Sequence, residues 1–129
     1  MIEELNFFLS SVVLGIMIFF SFVVAPITFK SLSEESARIF IRTIFPYYYN
    51  LNLLFCLLIT FPFFYLSIYS IKFYLILSTT ILFGISSFIL MPLINKYRDN
   101  KDDKKFKYLH FLSVLINFIQ IVFLTLFIF

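Results

Sequence analysis

Four stretches free of Asp, Glu, Lys and Arg limit what this chain can become: Leu5 to Phe29, Thr43 to Ile71, Phe73 to Asn95 and Tyr108 to Phe129. Each reaches the roughly 20 residues that a helix needs to cross about 30 Å of hydrocarbon. A soluble domain of 129 residues leaves much of its surface in water, so it has no interior large enough for a 62% hydrophobic chain. Lipid is the solvent that fits. The expected fold is an all-α integral membrane protein. It is a four-transmembrane-helix bundle in one domain over 1-129, with spans near 5-29, 47-71, 73-95 and 108-129.

Only Lys72 separates the second and third runs, which predicts a tight helical hairpin around Tyr69–Ser70–Ile71–Lys72. Tyr65, Tyr69 and Tyr74 would then sit at headgroup level, as amphipathic rings prefer. The first run opens with Glu3 and Glu4 where a cleaved signal would carry positive charge, so it is expected to stay as a span. Lys30, Arg38 and Arg42 in the first connection and Lys96, Arg98, Lys101, Lys104, Lys105 and Lys107 in the third outnumber Lys72 by nine to one. By the positive-inside rule, loops 30-46 and 96-107 are expected to be cytoplasmic and both termini to lie on the opposite side.

The first connection has helical character. Ser31 and Glu34 have the spacing of a capping box, and Ala37, Phe40, Ile41 and Ile44 recur at helical intervals opposite Glu34, Arg38 and Arg42. This predicts a short interfacial amphipathic helix between spans one and two, ended or kinked by Pro46. The alternative is a plain connector. Lys96 to Lys107 alternates Lys with Asp99, Asp102 and Asp103, which reads as a solvated loop.

Several function classes find no support in the residues. One cysteine, Cys56, allows neither an intrachain disulfide nor a thiolate cluster, and three Met with one His do not suggest a metal site. The basic residues lie between apolar runs and form no stripe for nucleic acid. No catalytic triad or phosphate-binding glycine loop is present, and the chain has two glycines in all. No catalytic residue and no metal ligand is assigned.

Polar groups inside the spans carry more information, since hydrocarbon makes them costly unless partnered. His110, Ser113, Asn117 and Gln120 are spaced by three, four and three, which places them on one stripe of the fourth span, facing the bundle interior. The stripe serves either as interhelical hydrogen-bonding glue or as a polar lining for a ligand or ion. His110 near its end is read as a hydrogen-bonded interfacial histidine, titration or metal ligation being the alternative. Small residues four apart (Ser11 and Gly15, Ser21 and Ala25, Thr80 and Gly84) predict close helix crossings, within the bundle or between copies.

Four segments together resemble the transmembrane-protein-205-like family, whose bacterial members are catalogued as a domain of unknown function. Gly15 to Phe29, with Pro26 near its end, is similar to the first-span signature of that family. Phe45-Pro46-Tyr47-Tyr48 is similar to the start of its second span, Pro92-Leu-Ile-Asn95-Lys-Tyr-Arg98-Asp99 to the end of its third, and His110-Phe-Leu-Ser113-Val-Leu-Ile-Asn117 to the start of its fourth. The resemblance implies four spans, a bacterial inner-membrane location and no established enzymatic activity.

All four segments fall at the end of the bundle expected to be cytoplasmic. One polar vestibule is therefore expected there, built from Pro26, Arg42, Pro46, Tyr48, Asn95, Arg98, Asp99, His110, Ser113 and Asn117, with Gln120 on the same stripe. Asn95 is expected to cap span three, and the arginines to pair with neighbouring groups or lipid phosphate. The leading reading is a non-enzymatic binding, transport or resistance accessory for a small solute or lipid headgroup. Its partners would be membrane lipid, an unidentified small-molecule ligand and further copies of itself, without nucleic acid. No cofactor is expected. The alternatives are a membrane-embedded haem or redox enzyme, and a membrane scaffold or assembly factor docking through Lys96 to Lys107.

Overall fold

A computed structural model describes all of residues 1–129. The chain forms four helices: α1 (Ile2–Ser31), α2 (Glu34–Tyr65), α3 (Ile71–Asp99) and α4 (Asp103–Ile128), each long and apolar enough to cross a membrane. α1 and α3 bury stripes at alternating three- and four-residue steps. On α1 the stripe is Asn6, Ser10, Val13, Met17 and Phe20; on α3 it is Phe73, Ile76, Thr80, Phe83, Ser87 and Leu90. That spacing is the one by which helices pack side by side in bundles. The helices close a ring in chain order, α1 on α2, α2 on α3, α3 on α4 and α4 back on α1. Large side chains on the outer face stay exposed, among them Phe8, Phe22, Phe61, Phe88 and Phe118, as lipid contact allows.

The connections are shorter than the sequence predicts, because the charged segments are helical. Loop 30-46 contracts to Leu32 and Ser33, and loop 96-107 to Asn100–Asp102. Ser33 caps α2 in place of Ser31, its Oγ accepting from the Ser36 amide at 3.2 Å. Ser31 itself is the last residue of α1. The amphipathic segment is the first part of α2 and not a separate surface helix, and Pro46 lies inside α2 without ending it. The reason is packing across the proline: Phe45 stacks on Tyr49 at 5.5 Å and lies 5.5 Å from Phe20 of α1. A proline inside a spanning helix is tolerated where neighbouring helices support the turn.

The α2–α3 hairpin turns at Leu66–Ser70, slightly earlier than predicted, with Ser70 capping α3 through the Phe73 amide at 3.4 Å. Ser67 and Lys101 adopt the left-handed conformation, φ 54° and 56°, that glycine usually fills. Each closes its helix with a six-to-one bond, Ile68 N–H to the Phe63 carbonyl at 2.9 Å and Asp102 N–H to the Tyr97 carbonyl at 3.0 Å. The glycines do not mark close crossings. A Cβ at Gly15 or Gly84 would meet nothing within 4 Å.

Superimposed on the ring is an internal repeat. Ser21-Phe-Val-Val-Ala-Pro26-Ile-Thr-Phe-Lys30 and Ser87-Phe-Ile-Leu-Met-Pro92-Leu-Ile-Asn-Lys96 align at a constant offset of 66 residues (87 minus 21). The same offset relates two π turns, Phe20–Val24 in α1 and Ser86–Leu90 in α3. Both serines reach an asparagine of the opposite hairpin. Asn117 Nδ2 donates to Ser21 Oγ at 3.0 Å, and Ser87 Oγ donates to Asn50 Oδ1 at 2.8 Å. The second halves of α1 and α3 are thus two versions of one segment, each clasped to the opposite hairpin.

Farther from the basic loops, the buried hydroxyls of Thr60 and Thr80 meet at 2.9 Å between α2 and α3. Interhelical hydrogen bonds in membranes average about 0.6 kcal/mol and reach about 1.7 kcal/mol. A double-mutant cycle of Thr60→Val and Thr80→Val, read by unfolding in micelles, should show coupling in that range. Strict additivity would mean that the contact carries no energy.

Candidate functional site

At the end carrying the basic residues the two hairpins separate. The last turns of α1, Ala25–Ser31, pack on α2, and the last turns of α3, Met91–Asp99, pack on α4. Between them lies a cavity of about 590 Å³. Nine of the eleven expected site residues line it: Pro26, Arg42, Tyr48, Asn95, Arg98, Asp99, His110, Ser113 and Asn117. Two do not. Pro46, within α2, is not part of the lining. Gln120 is buried deeper, its Nε2 donating to the Thr79 carbonyl at 3.3 Å.

The floor is a hydrogen-bonded relay across three helices. Tyr48 Oη donates to Asn117 Oδ1 at 2.8 Å, and Asn117 donates onward to Ser21. Phe20 lies 4.5 Å from the Tyr48 ring, and Tyr49 meets Tyr48 edge-on at 5.2 Å. This aromatic wall fixes the phenol, so the polar floor is rigid and its tyrosine is committed to a partner.

One ion pair spans the hairpins. Arg42 of α2 grips Asp99 of α3 in bidentate fashion, Nη1 to Oδ1 at 2.7 Å and Nη2 to Oδ2 at 2.9 Å. The planar guanidinium fork suits a carboxylate this way. Both residues lie outside the charge-free runs and are about half exposed. Hydrogen bonds from Arg42, with its charge adding and desolvation opposing, hold the Asp99 carboxyl below the usual carboxylate range.

Arg98 is placed differently. It has no carboxylate within salt-bridge distance, and its guanidinium carbon sits 4.3 Å from the centre of the Phe106 ring. His110, one turn on, stacks parallel to the same ring at 5.8 Å and 7°. Aromatic contact orients the cation without neutralising it. Arg38, also lining the cavity, is paired with Glu34 on its own helix. The cavity therefore presents three arginines against one aspartate, and one of those arginines is free of any carboxylate.

Around these polar groups the walls are apolar, through Phe20, Ile41, Phe45, Met91 and Ile94. Phe29 on α1, Ile39 on α2 and Val114 on α4, 58%, 61% and 53% exposed, form the rim. Ser113 bonds only its own helix, donating to the His110 carbonyl at 2.7 Å. Asn95 is inside α3, which Asn100 caps, so it lines the cavity and does not end the helix. No group of three or more His, Cys, Asp or Glu side chains comes together.

Sequence reasoning did not place Ser21, Arg38 or Phe106 in the site. Phe106 sits four residues before His110, the spacing that stacks rings on a helix, but it falls among lysines assigned to a loop. Ser21 was grouped with Ala25 as a packing residue, and its match to Ser87 emerges only from the repeat.

A family model described as Domain of unknown function (DUF4149) matches residues 8–103, most of the chain. The chain belongs to the DUF4149 family. No curated protein and no solved structure matches it. The DUF4149 match spans both π turns, Arg42, Arg98 and Asp99, and ends at Asp103, the first residue of α4.

A depressed carboxyl contributes stability that is present above its unfolded-state pKa and is lost as pH falls through the lowered folded-state value. Asp99 therefore holds α3 to α2 at neutral pH and releases it in acid. Thermal unfolding in detergent should show wild type losing more stability than Asp99→Asn between neutral and acidic pH. Equal losses would mean that the pair does not couple the hairpins.

Proposed function

We propose that this DUF4149 protein is a non-enzymatic membrane protein that binds an anionic amphiphile, an anionic phospholipid being the form every membrane supplies. Arg98 carries this reading. It is a half-buried arginine without a carboxylate, held over Phe106 and directed into a cavity with apolar walls. A phosphate there gains charge-assisted hydrogen bonds from a planar fork, while Asn95, Ser113 and the Tyr48–Asn117 floor offer further polar contacts. The acyl chains leave through the rim of Phe29, Ile39 and Val114 into surrounding lipid. The nine-to-one distribution of basic residues supports placing this end at the cytoplasmic leaflet, whose anionic headgroups basic residues attract. The motifs that resemble the transmembrane-protein-205-like family gather at the same end, which supports a ligand site there.

Hydrogen bonds to charged groups contribute about 1.5–3 kcal/mol, so Arg98→Ala should weaken retention of phosphatidylglycerol by about tenfold or more. Native mass spectrometry of the purified protein, titrated with phosphatidylglycerol and with neutral phosphatidylcholine, reads this directly. Arg98→Lys should keep part of the preference by keeping the charge. Equal retention of both lipids by wild type, or unchanged retention by Arg98→Ala, would refute the reading.

A further inference from the structure

The polar interior does not stop at the vestibule floor. On α2, Tyr48, Asn52, Cys56 and Thr60 follow one another at four-residue intervals, all buried. At 1.5 Å per residue they form a column of about 18 Å, more than half the hydrocarbon thickness. Gln120 and Thr79 meet across α4 and α3, and Thr60 meets Thr80. At the opposite end is a second cavity of about 390 Å³, walled by Phe7, Phe63 and Phe127 and bearing Asn6, Glu3 and Lys72. A cation therefore stands at each end of a polar column.

Two amides in this interior lack partners. Asn52 is fully buried with both Oδ1 and Nδ2 unsatisfied, and Asn6, nearly buried in the second cavity, has an unsatisfied Oδ1. Hydrocarbon supplies no donor or acceptor, so an unpaired amide at that depth is costly unless a polar visitor meets it. Met17, Phe83 and Leu124 are fully buried and close the bundle between the cavities in this conformation. Passage therefore requires the hairpins to part. The fold has a place for that movement: π turns at equivalent heights in α1 and α3, each followed within two residues by a proline, where the hairpins begin to diverge. Such turns loosen the regular helical ladder and recur at functional sites.

Resting on the vestibule as an anionic-lipid site, we infer that the protein moves the headgroup of an anionic phospholipid along the Tyr48–Thr60 column between leaflets, the acyl chains remaining in lipid. No bond forms or breaks, and the lipid moves down its own gradient.

The test reconstitutes the full chain in phosphatidylcholine vesicles carrying a trace of tail-labelled fluorescent phosphatidylglycerol. Impermeant dithionite is then added to destroy outer-leaflet label. Wild-type vesicles should lose inner-leaflet fluorescence as well, while protein-free vesicles keep it. Asn52→Leu should slow that phase by about tenfold, the equivalent of one lost hydrogen-bonding partner, while helicity and Arg98-dependent lipid retention stay at wild-type values. As a readout without substitution, native Cys56, one turn beyond Asn52, should react with a charged impermeant methanethiosulfonate in the wild-type vesicles. Protected inner-leaflet label despite Arg98-dependent binding would overturn the inference and leave the binding site standing. So would unreactive Cys56, or a folded, lipid-binding Asn52→Leu that exchanges at the wild-type rate. Absence of binding itself would remove the vestibule reading and this inference together.

Discussion

Inside hydrocarbon a backbone or side-chain polar group has no water to turn to, and the rest of this structure depends on that constraint. Hydroxyls answer it locally. Thr28, Thr43, Thr79 and Thr125 each donate to the carbonyl four residues back, at 2.7–2.9 Å, and of Thr60 and Thr80 one does the same while the other gives its proton to their mutual contact. The prolines answer it differently. Proline removes a donor and crowds the carbonyl four residues earlier. Before Pro26 and Pro92 the helix has already widened to π spacing, with Ala25 N–H reaching the Phe20 carbonyl and Met91 N–H the Ser86 carbonyl. The wider turn makes room for the ring, so each helix continues through its proline without a break.

Polar groups that cannot be satisfied within their own helix then dictate how helices meet. Asn117 is held by Tyr48 and Ser21, and Asn50 by Ser87, which locks each hairpin to the other just below the point where they separate. Above these clasps the helices are free to diverge, and the vestibule is the space that results. Its contents break the repeat. Sixty-six residues before Arg98 and Asp99 stand Leu32 and Ser33, which carry no charge. A near-symmetric frame thus carries an asymmetric set of charges, and the chemistry of the site lies in that difference.

Which parts of this were legible in the sequence follows from the strength of each signal. A charge-free run of spanning length admits few folds, so the four helices could be read directly. Charged segments beside the spans misled, because Arg98, Lys104 and Phe106 continue a helix as readily as they form a loop, and only the short turn at Asn100–Asp102 decides between these. Pro46 signals a break in isolation; the aromatic contacts that carry α2 through it join residues of different helices and have no local signature. The α4 stripe was visible because His, Asn and Gln stand out among apolar residues. The α2 column was not, since Tyr48, Cys56 and Thr60 count as near-apolar and leave Asn52 looking solitary. Of the small residues expected at close crossings, Gly15 and Gly84 face open space, whereas Ser21 and Thr80 meet neighbouring helices through their hydroxyls.

The asymmetry extends to the two seams between the hairpins, α2 against α3 and α4 against α1. At the basic end the first seam is closed by the Arg42–Asp99 bidentate pair. The second has Lys30 at the end of α1 and Lys104 and Lys107 at the start of α4, with no carboxylate paired to any of them. Opposite charges draw the first seam together, and the second has no such pair. Arg98 has no carboxylate partner inside the protein, and the proposed anionic ligand would supply the missing counter-charge.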